Sequence, residues 1–281
     1  MAQEHLVPLG PDFDGVALGC LEWGAGSAGR TILCVHGLTR NAHDFDALAP
    51  ALARHGARVI AVDVAGRGRS SWLADPQNYR VETYAAHLAR LMDVLGLGRV
   101  DWVGTSMGGI IGMVLAAAPD SRIDRLVLND IGPAVDSATL AHIRSYLGLD
   151  LMFRDLGEVE AHLRTIHAGF GRLTDAQWAA MARTSSRGTP EGLQLHYDPA
   201  IRAPFMADTA GGIDLWPAWD AISCPTLVLH GADSPLLTGD ILAEMRRRRP
   251  EIEVVTFAGV GHAPALMAAD QIDTIARWLG L

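Results

Sequence analysis

Six short runs of apolar and β-branched residues, at 31–35, 58–62, 99–103, 125–128, 226–229 and 253–257, alternate with longer stretches of helical periodicity. Most of these runs are apolar throughout rather than at every second residue, the pattern of strands covered on both faces. The alternation therefore predicts βαβ units, with a mostly parallel sheet flanked by helices. The helical stretches include 44–55, with Phe45, Leu48, Ala49 and Leu52 on one stripe, and 83–95, which stops at Gly96. Two more are 107–117, closed by Pro119, and a C-terminal helix from about Asp270 to Leu279. The stretch 16–23 alternates more clearly and predicts an antiparallel hairpin at one edge.

The alternation stops between Ile131 and Ile222. Helical patterns continue there at 138–146, 158–167 and 175–183, but no run reads as a parallel strand. This predicts a helical subdomain, residues 132–221, inserted into a core made of residues 1–131 and 222–281. The turn-rich piece 187–192 reads as a connector within it.

Composition narrows the class. With 49% hydrophobic residues over 281 positions the chain can bury one sizeable core. Its net charge of −9 would repel a polyanion, which argues against a nucleic-acid partner. The longest apolar stretch, 110–118, is too short to span a membrane. The N-terminus lacks the basic region and apolar run of a secretory signal. Cys20, Cys34 and Cys224 are odd in number and lack metal-ligand spacing, so they read as buried thiols in a reducing compartment, and the chain as cytoplasmic. The run Arg246-Arg247-Arg248-Arg249 stands at the end of a helical stretch, where cations complement the helix dipole.

The chemistry begins at Gly104-Thr105-Ser106-Met107-Gly108-Gly109, between a strand ending at Val103 and a helix starting near Met107. This is a G-x-S-x-G nucleophile elbow in its strand-turn-helix setting. So tight a turn strains the serine backbone, and its neighbours two residues away on either side must lack side chains. In return the hydroxyl projects above a helix N-terminus whose free amides favour developing negative charge.

With this elbow in place, the whole chain resembles the α/β-hydrolase family, whose fold is a mostly parallel sheet with helices and an inserted cap. His36-Gly37-Leu38 ends the third strand, where that family keeps an oxyanion loop. The resemblance implies that the amides of Leu38 and Met107 hold the oxyanion. It makes His36 and Gly37 candidates for substrate contact, with a loop-bracing role as the alternative for His36. Asp63-Val64-Ala65-Gly66-Arg67-Gly68-Arg69-Ser70 resembles the family's D-x-x-G-x-G-x-S loop and reads as structural, its glycines shaping the turn while Asp63 satisfies backbone donors. His262, in Gly259-Val260-Gly261-His262, stands after the last strand, where the family keeps its base.

Two carboxylates compete for the acid. The family's usual position lies three residues after the glycine that ends the next-to-last strand. Here Asp233 comes two after Gly231, and Ser234 takes the third place. Asp130 ends the strand that follows the serine's helix, a position used by the family branch containing 2-(acetamidomethylene)succinate hydrolase, to which this sequence looks similar. Either could orient an imidazole and stabilise its protonated form.

In the expected cap, Arg144, Arg164 and Arg202 would imply a carboxylate-bearing substrate if they faced the serine. Tyr146, Tyr197, His162, His167 and His196 are further lining candidates, while Trp178 and Trp216 read as packing between cap helices. The reading is a serine hydrolase of a small carboxylic ester, lactone or amide, with no cofactor and no metal. A carbon–carbon bond hydrolase of a diketone-like metabolite and a non-catalytic small-molecule-binding protein are the alternatives. Dehalogenase and epoxide hydrolase relatives place an aspartate where this chain has Ser106.

Overall fold

The computed structural model describes residues 2–27, 29–207 and 211–281. Eight strands form its main sheet: β1 (Gln3–Pro8), β2 (Ala17–Trp23), β3 (Thr31–Val35), β4 (Arg58–Val62), β5 (Val100–Thr105), β6 (Ile123–Asn129), β7 (Thr226–Gly231) and β8 (Glu253–Phe257). Their order across the sheet is β1-β2-β4-β3-β5-β6-β7-β8. The six apolar runs are the six mutually parallel strands. β2 pairs antiparallel with both β1 and β4.

Helices α1 (Leu48–Arg54), α2 (Val81–Val94) and α3 (Met107–Ala116) connect the strands up to β6. Between β6 and β7 the chain leaves the sheet and makes α4 (Ser137–Tyr146), α5 (Leu156–Ile166), α6 (Asp175–Thr184), α7 (Ala203–Ala207) and α8 (Trp216–Ala221). Then α9 (Gly239–Arg248) links β7 to β8, and α10 (Ala269–Leu279) closes the chain at Gly280, whose φ of +77° suits a left-handed helix cap.

Successive residues of the parallel strands feed opposite cores. Leu33 and Val35 of β3 join a cluster with Leu88 and Leu91 of α2 and Ile111 of α3. Ile32 and Cys34 join another with Leu48 and Leu52 of α1 and Ile275 and Leu279 of α10. Each such aliphatic side chain removed from water stabilises the fold by roughly 1.5–3 kcal/mol.

The insertion has its own small core of Phe153, Val159, Leu163, Trp178, Met181 and Ala182. Its helices α5 and α6 start at side-chain caps: Asp155 accepts from the Glu158 amide, and Thr174 with Gln177 forms a capping box. One of the sequence expectations needs correction. Residues 187–192 are not a plain connector but belong to an antiparallel hairpin of Ser186–Thr189 with Gly192–Leu195. Trp216, expected to pack between cap helices, lies under the Arg248 guanidinium of α9, 4.5 Å from ring centre to Cζ, against the main core. Arg246, Arg247 and Arg248 occupy the last turn of α9, whereas Arg249 turns inward to the Cys224 carbonyl and the Thr226 hydroxyl. Among the described residues no helix is long and apolar enough to cross a membrane.

Candidate active site

β5 delivers Ser106 and α3 carries the chain away. Ser106 has φ +50° and ψ −114°, a conformation non-glycine residues rarely adopt. The surrounding glycines are needed for space. A Cβ on Gly104 would sit 2.4 Å from the Gly108 carbonyl oxygen, and one on Gly108 would sit 2.0 Å from that of Val35. The α3 N-terminus is thereby pressed onto the end of β3.

Asp130 leaves β6 at φ +56°, and its amide donates to the Leu229 carbonyl of β7 at 2.8 Å. Fully buried, its carboxylate accepts from the Gly231 amide (2.8 Å) and from the Ser234 hydroxyl (2.5 Å). Gly231 has to be glycine, because a Cβ there would meet the Gly261 carbonyl oxygen at 2.1 Å. That close approach brings the β7 and β8 loops together.

His262 lies in the β8 loop. Its Nδ1 is 2.7 Å from Asp130 Oδ2 and its Nε2 is 2.9 Å from Ser106 Oγ. With a carboxylate at Nδ1, the ring proton belongs there, and Nε2 is left as acceptor toward the serine hydroxyl. The loop is held by Asn129, whose side-chain amide donates to the Pro264 carbonyl (2.8 Å), and by the Gly261 amide on the Gly169 carbonyl of the insertion (2.7 Å).

Of the two candidate acids, the structure joins Asp130 to Ser106 and His262. Asp233 is exposed, and its described hydrogen bond is from its own amide to the Val260 carbonyl. Ser234, in the place where the family usually keeps its acid, donates to Asp130 instead.

Gly37 lies beside the elbow, where a Cβ would be 3.7 Å from Ser106 Cβ. His36 does not reach this space. It is fully buried, its Nε2 accepts from the Val64 amide (2.9 Å), and its Nδ1–H donates to the Gly37 carbonyl (2.7 Å). Burial, with the charges of Arg67 and Arg40 nearby, pushes its pKa down to about 3 despite the opposing bond to Gly37. The substrate-contact expectation for His36 is corrected here: with both nitrogens engaged it braces the loop. The brace also has a direction, because the Gly37 carbonyl and the Leu38 amide share one trans peptide plane and point opposite ways. Holding the first aims the second. Among the described residues no acceptor pairs with the amide of Leu38 or of Met107.

A cavity of about 30 Å³ adjoins this loop, lined by Thr39 and Arg40 on the core side and by Tyr146, His162, His167 and Tyr197 from the insertion. Arg40, absent from the sequence candidates, is buried, paired with Asp44 and bonded to the Ser185 hydroxyl (2.7 Å). Burial, together with Arg40, holds the His167 pKa well below its ordinary value. Arg164 instead pairs with Glu160 and Asp175 and stacks over Trp178. Asp63 accepts from the Ala42 and Arg69 amides, as its loop motif implies. Among the described residues no group of three or more His, Cys, Asp or Glu side chains could hold a metal ion.

A family model described as alpha/beta hydrolase fold matches residues 30–268. The chain belongs to the α/β-hydrolase family. It is 44% identical to a 3-hydroxybutyrate-oligomer hydrolase of Cupriavidus necator, over 89% of this chain and 88% of that protein. It is 28% identical to the 2-(acetamidomethylene)succinate hydrolase of Mesorhizobium japonicum, over 93% and 91% respectively. An α/β-hydrolase structure from Novosphingobium aromaticivorans superposes with a TM-score of 0.87 at 32% identity, covering 99% of this chain and 98% of that one. This α/β-hydrolase is therefore an enzyme, a hydrolase, rather than a non-catalytic binding protein of the same fold.

Proposed function

We propose that this hydrolase cleaves short carboxylic esters through an acyl-enzyme. Ser106 is the nucleophile, His262 the base, Asp130 the acid, and the amides of Leu38 and Met107 form the oxyanion hole. The observation that carries the reading is the unbroken line from Ser106 Oγ through both nitrogens of His262 to the buried Asp130 carboxylate. A serine hydroxyl is a weak nucleophile unless a base takes its proton as it attacks.

In the first half-reaction Oγ bonds to the ester carbonyl carbon while its proton passes to His262 Nε2. The carbonyl oxygen becomes the oxyanion, and Asp130 stabilises the imidazolium without itself taking a proton. Collapse breaks the carbon–oxygen ester bond, and the imidazolium protonates the departing alkoxide. Water then attacks the acyl-enzyme by the same route, releasing the acid and restoring the serine hydroxyl. Two amide donors in a water-excluded site supply several kcal/mol to each tetrahedral state.

The similarity to a 3-hydroxybutyrate-oligomer hydrolase supports a finer assignment, to esters of short hydroxyalkanoic acids such as linear 3-hydroxybutyrate oligomers. The insertion, residues 132–221, serves as the cap whose inner wall selects the substrate. Three unpaired cysteines support a cytoplasmic setting. The test is turnover of a 3-hydroxybutyrate dimer, with p-nitrophenyl butyrate as control and a fluorophosphonate as probe. Hydrolysis of both esters, with turnover and labelling lost together in folded Ser106→Ala, supports the assignment. Near wild-type hydrolysis by that variant sinks the serine mechanism, and an intact dimer beside a cleaved p-nitrophenyl ester sinks the substrate class alone.

A further inference from the structure

Arg67 is fully buried, and among the described residues no carboxylate bonds it directly; the buried Asp198 carboxylate is reached only through Tyr79, whose hydroxyl donates to it. Its Nε donates to the Leu38 carbonyl at 2.9 Å, and its Nη1 to the Ala65 carbonyl (2.8 Å) and the Tyr84 hydroxyl (2.6 Å). Its Nη2 reaches the Met107 sulfur at 3.7 Å. The guanidinium carbon lies 5.0 Å from the Tyr84 ring centre and 5.8 Å from that of Tyr79. An arginine side chain taken wholly out of water ordinarily needs a paired anion to offset its lost hydration. This one has two carbonyls, a phenol, a weakly accepting thioether and two aromatic faces.

The partners are informative. Leu38 and Met107 are the two residues whose amides form the oxyanion hole in the reading above, and one guanidinium touches both. His36 fixes the peptide plane before Leu38 through the Gly37 carbonyl, and Arg67 fixes the plane after it through the Leu38 carbonyl. The loop bearing Arg67 is itself held from outside. Gly68 donates to the His196 carbonyl at 3.0 Å, and the Asp198 amide donates to the Gly66 carbonyl at 2.8 Å, so a segment of the insertion clamps it on both sides.

We propose that Arg67 is a positioning residue of the oxyanion hole: it fixes Leu38 and Met107 relative to Ser106. The proposal rests on the serine-hydrolase reading and adds a third residue to the hole. A donor set held this way needs no reorganisation as charge develops, which makes its contribution specific to the tetrahedral state.

The experiment compares wild type, Arg67→Lys and Arg67→Met, each standardised by fluorophosphonate active-site titration, in ester turnover and in inhibition by an alkyl trifluoromethyl ketone. The ketone forms a serine hemiketal whose oxygen occupies the hole, while the product acid gives a reference with no such oxygen. Both variants are expected to lose on the order of 10²-fold in kcat, the scale of one oxyanion donor, with KM and product-acid affinity within about twofold. The ketone should weaken by a similar factor. Since Arg67→Met leaves a buried cavity of polar groups and could fail to fold, Tyr84→Phe is measured alongside. Losing one anchor of the guanidinium should cost it several-fold in kcat, and the effect should be non-additive with Arg67→Lys. Titratable Arg67→Lys with wild-type kcat, or with ketone and product affinities lowered in equal measure, overturns the proposal. So does a Tyr84→Phe variant whose loss simply adds to that of Arg67→Lys. A wild type neither labelled by the fluorophosphonate nor inhibited by the ketone overturns the serine-hydrolase reading itself, and this proposal with it.

Discussion

The hydroxyl of Ser234 donates to Oδ2 of Asp130 at 2.5 Å, the same oxygen that faces His262 Nδ1. Ser234 also accepts from the amides of Leu236 and Leu237, so its hydroxyl is oriented from behind. The proposed acid is thus held jointly by the ends of β6 and β7.

This arrangement separates three substitutions. Asp130→Asn is expected to reduce kcat by on the order of 10⁴-fold, because an amide at that position no longer stabilises the imidazolium. Ser234→Ala should cost about tenfold by removing one donor to the carboxylate. Asp233→Asn should cost less than tenfold, through a small change in the local field. Steady-state kinetics on one ester rank the three. An Asp233→Asn loss as large as that of Asp130→Asn would overturn the assignment of the acid.

The elbow predicts where glycine cannot be replaced. Gly108→Ala places a methyl group 2.0 Å from the Val35 carbonyl oxygen, and α3 must move off β3 to admit it. A loss of about 3 kcal/mol or more is expected, the upper range for overpacking. Gly239, at the first turn of α9, has nothing within 4 Å of an added Cβ. Gly239→Ala should be neutral or stabilise by roughly 0.5 kcal/mol. Urea unfolding midpoints of the two variants provide the comparison, and equal midpoints would refute the steric account.

Stability should fall on mild acidification. Burial pushes His36 down to about 3 and holds His167 well below its ordinary value of 6.5. In the unfolded chain both rings take up protons below about 6.5. Between there and about 3 the unfolded state holds more protons, so stability rises with pH and is lost as pH falls. The slope is at most about 1.4 kcal/mol per pH unit for each ring. Asp63, whose carboxyl burial pushes up from 3.8, acts in the opposite sense above that value and offsets part of the decline. Unfolding free energies should therefore decline from about pH 7 to 5, and decline less steeply in His36→Asn. Parallel curves for the two proteins would remove His36 from the account.

The thiols should be unequally reactive. Burial raises the pKa of Cys20 to about 12 and pushes Cys34 higher still, and both side chains are out of solvent. Cys224 is also raised but only half-buried. A thiolate is the reacting species, so an aromatic disulfide reagent at about pH 8 should modify Cys224 first and slowly in the native protein. All three should react rapidly once the chain is unfolded. Early modification of Cys34 in the native state would contradict its placement in β3.

The parallel strands were legible because burial on both faces leaves a continuous apolar signature, and Ser106 and His262 because glycines mark their turns. β1 left no such trace: of Gln3–Pro8 only Val7 is buried, as befits an edge strand. The choice between Asp130 and Asp233 turned on distances across neighbouring strand ends, which spacing along the chain does not encode. Gly231 sets that distance by letting the β8 loop approach, and the offset of Ser234 was the one visible sign. Arg67 was unreadable for another reason. In sequence a guanidinium beside two glycines looks like a surface cation, and only packing turns it inward.

Ser106 and Asp130 both belong to the unit β5-α3-β6, so the proposed nucleophile and acid are encoded within 25 consecutive residues, and only His262 arrives from beyond the insertion. In this sense the site is assembled from two parts of the chain. The exposed turn at Pro190-Glu191 is a natural place to cut it. Residues 1–190 would then carry a serine with its acid and no base, and residues 191–281 a base with nothing to activate. Two chains that are each inert should recover ester hydrolysis when co-expressed, and the recovered activity would report how far the sheet alone brings the pieces together.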